Sequence, residues 1–200
     1  FNKSGKGRIP VPDKLTECTA CPTYKGCMTD FVCHTSPIEN ALKILDCGSL
    51  LSPVRARNMP ADILKKEKRN AANDPEDYFQ YIMFAWGNCQ AGDRLVVERR
   101  LGRAPTEAEL GPGFEAGVRF YFRYDDIIRH PKAVFDGVLP LKVKDEVVLK
   151  DYVYGIIIPY VFKEAVKGHI SKTKALRAVC IFSIKAIWIY GSGQRVHMNI

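Results

Sequence analysis

The apolar positions of the chain change period part way along it. "FVCH", Phe31 to His34, has the short apolar run of a strand and predicts one over 31–34. Ile38, Ala41, Leu42 and Leu45 then recur at i, i+3, i+4 and i+7, which predicts a helix over Pro37 to Asp46. Ser36 before Pro37 suits N-cap and first-turn positions, and Glu39 three residues on completes a capping box. Gly48 suits a left-handed C-terminal cap. A charged helix is expected from Ala61 to Arg69. A second, thick with aromatics, is expected to start at Asp74-Pro75 within "NDPEDYFQYIMFAWGNC". "QAGDRLVVERRLGRAP" continues it after a break near Gly87 or Gly92, and Thr106 carries a capping signature in the connection that follows.

From Val118 the period becomes two. "VRFYFRY" alternates as a strand, and "DYVYGIIIP", residues 151–159, reads as a buried strand. "YDDIIRHP" is turn-like, and "AVFDGVLPLKV" reads as an irregular loop or short strand. "YVFKEAVKGHI" reads as a helix, and "RAVCIFSI" and "AIWIYGS" as two more strands. Helices gather in the first half and strands in the second, which is the α+β class. Residues 1–30, polar and rich in Gly, Pro and Lys, form an arm or small knuckle ahead of a single domain over 31–200.

Composition adds a bias in partners. Thirty Lys/Arg against 22 Asp/Glu give a net charge of +8. The excess is concentrated at 55–70 and 163–177, each carrying +4. Such runs are either solvated helix faces or the lining of a groove for a phosphate-bearing ligand. No run of eighteen apolar residues exists, so no membrane span is expected. Of seven cysteines, Cys33, Cys47, Cys89 and Cys180 lie in apolar patterns. A full disulfide framework is therefore not expected, and the reading is a reducing, intracellular compartment, cytoplasmic or nuclear. Phe1 rather than Met at the start leaves room for a removed targeting segment. Cys18, Cys21 and Cys27 have half of a zinc-site spacing; a local disulfide or free thiols are the alternatives.

Two stretches carry candidate chemistry. His34-Thr35-Ser36 joins a strand to a helix start, where backbone N–H groups favour anions and the side chains suit ribose or phosphate. The plainer reading is a capping segment with an incidental histidine. In "VRFYF", Phe120 and Phe122 suit the core, while Tyr121 faces the other way and is placed to stack on a flat ring. The acids Glu98, Glu107, Glu109, Asp125, Asp126, Glu146 and Glu164 have no spacing that singles one out.

Taken together, a strand ending in His34-Thr35-Ser36 and a helix ending in "ILDCGSLLS" resemble the opening unit of the ADP-ribosyltransferase superfamily. "VRFYF" resembles the Pro-Phe-Tyr-Phe strand of its DNA-modifying, DarT-like branch. The RNA 2′-phosphotransferases share a similar opening. The resemblance spans Phe31 to Ile189 as scattered short motifs. It implies a split β-sheet core, and the helical insertion expected at about 60–115 exceeds the compact family pattern. It also implies NAD as substrate and transfer of ADP-ribose to a macromolecule, nucleic acid before protein. On it, His34, Thr35 and Ser36 line the NAD pocket, Tyr121 stacks near nicotinamide, and Arg55 and Arg57 hold phosphates or the target. The family's later strand has the form Ala-Glu-x-Leu-Val, and its catalytic glutamate would fall at Tyr154-Gly155, where neither residue is acidic. The acid then falls to Glu146 or Asp151 upstream, with Glu146 as the candidate catalytic residue beside His34 and Tyr121. Without such an acid, the implied reading is a non-catalytic nucleic-acid-binding domain with a metal knuckle; an NAD-dependent RNA 2′-phosphotransferase is the third.

Overall fold

In the computed structural model, which describes residues 31–66, 77–87, 91–109, 117–135, 139–172 and 179–183, strand β1 (Phe31–Ser36) is central to a seven-stranded sheet. After β1 come α1 (Ile38–Cys47), β2 (Ser49–Leu51), α2 (Pro53–Arg57), α3 (Ala61–Leu64), β3 (Tyr81–Trp86) and α4 (Ala91–Leu101). Then follow β4 (Val118–Arg123), α5 (Tyr124–Ile127), β5 (Ala133–Val134), β6 (Leu141–Lys144) and β7 (Glu146–Val148). The last are α6 (Leu149–Tyr152), β8 (Val153–Pro159), α7 (Lys163–Lys172) and β9 (Val179–Ser183). The strand order is β5-β6-β3-β1-β4-β8-β9, antiparallel except for the β8–β9 pair, and β2 pairs with β7 in a separate small sheet. Mixed helix and antiparallel sheet is the α+β class expected.

Pairing between β1 and β4 decides what lies on each face. Val32 is opposite Phe122, His34 opposite Phe120, and Ser36 opposite Val118. On the other face Cys33 is opposite Tyr121 and Thr35 opposite Arg119. Val32, Phe120 and Phe122 join Phe84, Ile156 and Ile158 in the main core, together with Ala41 and Leu45 of α1 and Val166 of α7. Leu50 and Val147, paired across the small sheet, enter the same core. The opposite face carries α4, which lies against β1.

Local chemistry explains α1 and its end. Its apolar stripe buries Ala41 and Leu45, and Gly48 takes φ 70° with its N–H donating to the Ile44 carbonyl at 2.9 Å. Its start differs from the capping-box expectation. Ser36 stays in the β1 ladder opposite Val118, and the helix begins at Ile38 with Pro37 as the boundary residue. Sheet pairing satisfies the Ser36 backbone, so it does not turn to serve the helix.

The larger difference lies at 77–87. Where an aromatic helix was expected, Tyr78–Gln80 forms one 3-10 turn and Tyr81–Trp86 forms β3, seated between β1 and β6. Residues 81–86 thus belong to the centre of the sheet, not to a helical insertion. Ile82 and Phe84 face the core opposite Val143 and Leu141. The small strands β2 and β7 were also not anticipated. The Thr106 cap is present, with its Oγ1 accepting from the Glu109 N–H at 3.3 Å. The "AIWIYGS" strand lies outside the described residues.

Candidate functional site

The ladder between β1 and β3 is short. It pairs Val32 with Trp86 and Cys33 with Ala85, and stops there. His34 stands where the two strands part. Its Nδ1 lies 3.1 Å from the Met83 carbonyl oxygen, an acceptor left without a ladder partner from β1. A carbonyl can only accept, so Nδ1 carries the proton and donates. Neutral imidazole then has its lone pair on Nε2, which no described residue occupies. Burial pushes the His34 pKa below the ordinary histidine value, the hydrogen bond to Met83 opposes that shift, and the Arg99 charge adds to it. His34 therefore presents a neutral acceptor, half-buried at the end of the β1–β3 ladder. The ring also sits 6.3 Å from Phe84, edge to face.

Thr35 points to the opposite face and is covered there. A Cβ at Gly92 would lie 2.5 Å from Thr35 Oγ1, so α4 approaches β1 only because residue 92 has no side chain. Ser36 is buried. Tyr121 shares the Thr35 face rather than the His34 face, because it pairs with Cys33. Its ring is buried, its hydroxyl accepts from Arg119 Nη1 at 3.2 Å, and it donates to the Gly87 carbonyl at 3.4 Å. Burial raises the tyrosine pKa. Arg119 in turn pairs with Asp93 of α4, which is 1% exposed. Tyr121 is therefore part of a polar clamp fastening α4 to the sheet, and does not share a pocket with His34. The expected stacking of Tyr121 beside His34 is corrected by the pleat.

Glu146 opens β7 opposite Leu51 of β2, and its carboxylate lies 3.7 Å from Arg55 Nη2. Arg55 is placed by α2, whose N-cap Ser52 accepts from the Arg55 N–H. Asp145, just before Glu146, holds φ 68°, an uncommon conformation for a residue with a side chain. Three bonds hold it there: Asp145 N–H to the Gln80 carbonyl (3.0 Å), Ser52 N–H to the Asp145 carbonyl (2.8 Å), and Lys132 Nζ to its carboxylate (2.7 Å). The Lys132 bond also lowers the Asp145 pKa. No direct bond joins Glu146 to His34. Arg57 is exposed at the end of α2.

The structure thus leaves Arg55 exposed and Glu146 partly so, holds His34 half-buried with its Nε2 unpartnered, and commits Thr35, Ser36 and Tyr121 to packing or hydrogen bonds within the protein. Sequence reasoning missed Arg99, exposed on α4, whose charge reaches His34, and Asp145, which sets the turn into Glu146. Cys18, Cys21 and Cys27 lie outside the described residues; among the described residues no group of three or more His, Cys, Asp or Glu is placed to hold a metal ion. Cys33 is buried and donates weakly to the Trp86 carbonyl, whereas Cys47 is exposed, unlike its expected apolar setting. Among the described residues, no helix is long and apolar enough to cross a membrane. No protein-family model, curated protein or solved structure matches the chain.

Proposed function

We propose that the chain is an ADP-ribosyltransferase, a glycosyltransferase that moves ADP-ribose from NAD to a nucleic-acid acceptor. The observation that carries the reading is His34 at the parting of β1 and β3, with Nδ1 held by Met83 and Nε2 open. The short β1–β3 ladder beside this histidine supports that reading. The residues present fit part of an NAD site. Nε2 of His34 suits a ribose hydroxyl or a carboxamide N–H. Thr35, Ser36 and Tyr121 do not fit, because each is committed to packing or hydrogen bonds on the protein.

Glu146 is the candidate acid. The family form Ala-Glu-x-Leu-Val is met more nearly by Asp145-Glu146-Val147-Val148 than by the later strand at Tyr154. Its carboxylate enters β7 beside β3, from a backbone turn fixed by three hydrogen bonds. Bound NAD supplies a ribose carbon activated by its nicotinamide leaving group. The work of the chain is then to hold that ribose through His34 and to set the Glu146 carboxylate against the positive charge that builds as the bond breaks. Arg55 lies beside Glu146 as an exposed ion pair. The net charge of +8 favours a polyanionic acceptor.

The test is incubation of the full chain with adenine-labelled NAD and, separately, DNA, RNA and a mixed protein pool. The reading expects label in a nucleic-acid fraction. Free ADP-ribose with no labelled acceptor would make the chain an NAD hydrolase. Neither product would favour the non-catalytic nucleic-acid-binding alternative.

A further inference from the structure

A second exposed feature lies at the other end of β1. The β4–β8 ladder pairs Tyr121 with Gly155 and Phe122 with Val153, so Tyr154 is the extra residue of a β-bulge. Tyr154 is 44% exposed. It lies 4.8 Å from the Phe31 ring, centroid to centroid, and the Arg123 guanidinium sits 4.5 Å from the Tyr154 centroid and 6.0 Å from that of Phe31. Three adjacent strand ends thus bring two aromatic rings and a cation into one surface cluster. The Arg123 guanidinium has no carboxylate partner among the described residues, so its donors are available to an anion. A buried role does not account for this group: the tyrosine is lifted out by the bulge instead of packed.

We propose that Tyr154, Phe31 and Arg123 form a stacking platform for a single-stranded nucleic acid, one unpaired base lying on Tyr154 and an adjoining phosphate meeting Arg123. Base-on-aromatic stacking tolerates any sequence, and a guanidinium beside the ring supplies both a cation and phosphate donors. The basic balance of the chain complements a polyanion. The inference rests on the nucleic-acid acceptor reading and sharpens it to unpaired strands. At about 3.3 Å per residue, Phe31 is about 10 Å along β1 from His34, and the pleat puts it on the Tyr121 face of the sheet.

The test is fluorescence anisotropy of the full chain with labelled oligothymidylate, the matched oligouridylate and a blunt duplex, without NAD. Single strands should bind more tightly than duplex, and binding should weaken with salt. Tyr154→Ala should weaken single-strand binding roughly 5- to 150-fold, the loss expected for one stacked base. Tyr154→Phe should retain it. An unchanged Tyr154→Ala, or a Tyr154→Phe as weak as Tyr154→Ala, would overturn the platform. Photo-crosslinking of bromouracil-substituted oligonucleotide to the wild-type chain guards against a misfolded variant: adducts at Tyr154 or Phe31 support the site, and adducts only elsewhere refute it. Nicotinamide release, measured in parallel on the wild-type chain, separates the two ideas. Crosslinks at Tyr154 without NAD turnover would remove the transferase reading and leave the platform standing. Turnover and acceptor labelling without those crosslinks would do the reverse.

Discussion

Replacing His34 by Asn and by Ala separates what the imidazole does for the fold from what it offers a ligand. The Nδ1–H bond to the Met83 carbonyl, 3.1 Å long, serves a backbone acceptor at the point where the β1–β3 ladder ends. Asn can place its side-chain N–H near the same spot; Ala cannot. His34→Ala leaves that carbonyl without its partner, which costs about 1–3 kcal/mol, with water entry setting the low end. For a domain of this size that is about 2–4 °C of Tm per kcal/mol. His34→Asn should stay within about 1 kcal/mol of wild type, since it keeps a neutral hydrogen bond. The pH dependence gives a second handle. The folded-state pKa of His34 is lowered by burial, so the unfolded chain takes up the proton first. Its contribution is full above the unfolded value of about 6.5 and is lost as pH falls through the folded value. Urea denaturation at pH 7.5 and at steps down to pH 5 measures both effects. The wild-type acid-side slope should exceed that of His34→Asn, which has no group titrating there. A His34→Ala chain as stable as wild type, or equal acid slopes in wild type and His34→Asn, would refute this account of the imidazole.

Three further outcomes follow from the same geometry. Glu146→Gln should abolish NAD turnover yet change stability by only about 0–1 kcal/mol, because its pair with Arg55 is solvent-exposed; turnover assay and urea titration check each half. Asp93→Ala should cost about 3–5 kcal/mol, since it strands the Arg119 guanidinium, 13% exposed, beneath α4; thermal melting reads it, and a loss under 1 kcal/mol would contradict the clamp. Gly92→Ala gains helix propensity but drives a methyl into Thr35, so the melt should show a net loss of up to about 2 kcal/mol where propensity alone predicts a gain of about 1.

What could be read from the chain and what could not divides along sequence distance. The α1 stripe and the Gly48 cap depend on neighbours within a few residues, and both appear in the structure as expected. The alternation of β4 and the apolar run of β8 likewise point to strands, although β8 begins at Val153 rather than Asp151. β3 was misread because "YIMFAW" has no polar residue to mark a period, and only its partners β1 and β6, distant in sequence, decide for a strand. Ser36 shows the same competition in miniature: a capping box was written locally, and the ladder to Val118 won. For the site, His34 was legible as a residue at a strand-to-helix junction. That Tyr121 turns to the opposite face required the register Cys33 to Tyr121, which one sequence does not carry. Arg99 has no mark, because it lies outside both basic runs and in no motif. Asp145 had none either, since its left-handed turn is held by bonds to Gln80, Ser52 and Lys132, far along the chain.

The most direct test of the central claim is transfer of label from adenine-labelled NAD to single-stranded nucleic acid by wild type and His34→Asn side by side. Both chains must first melt alike. The account predicts labelled acceptor and released nicotinamide with wild type, and loss of both with His34→Asn, which keeps the Met83 bond but lacks Nε2. Equal transfer by the two chains, or none by wild type, would contradict it.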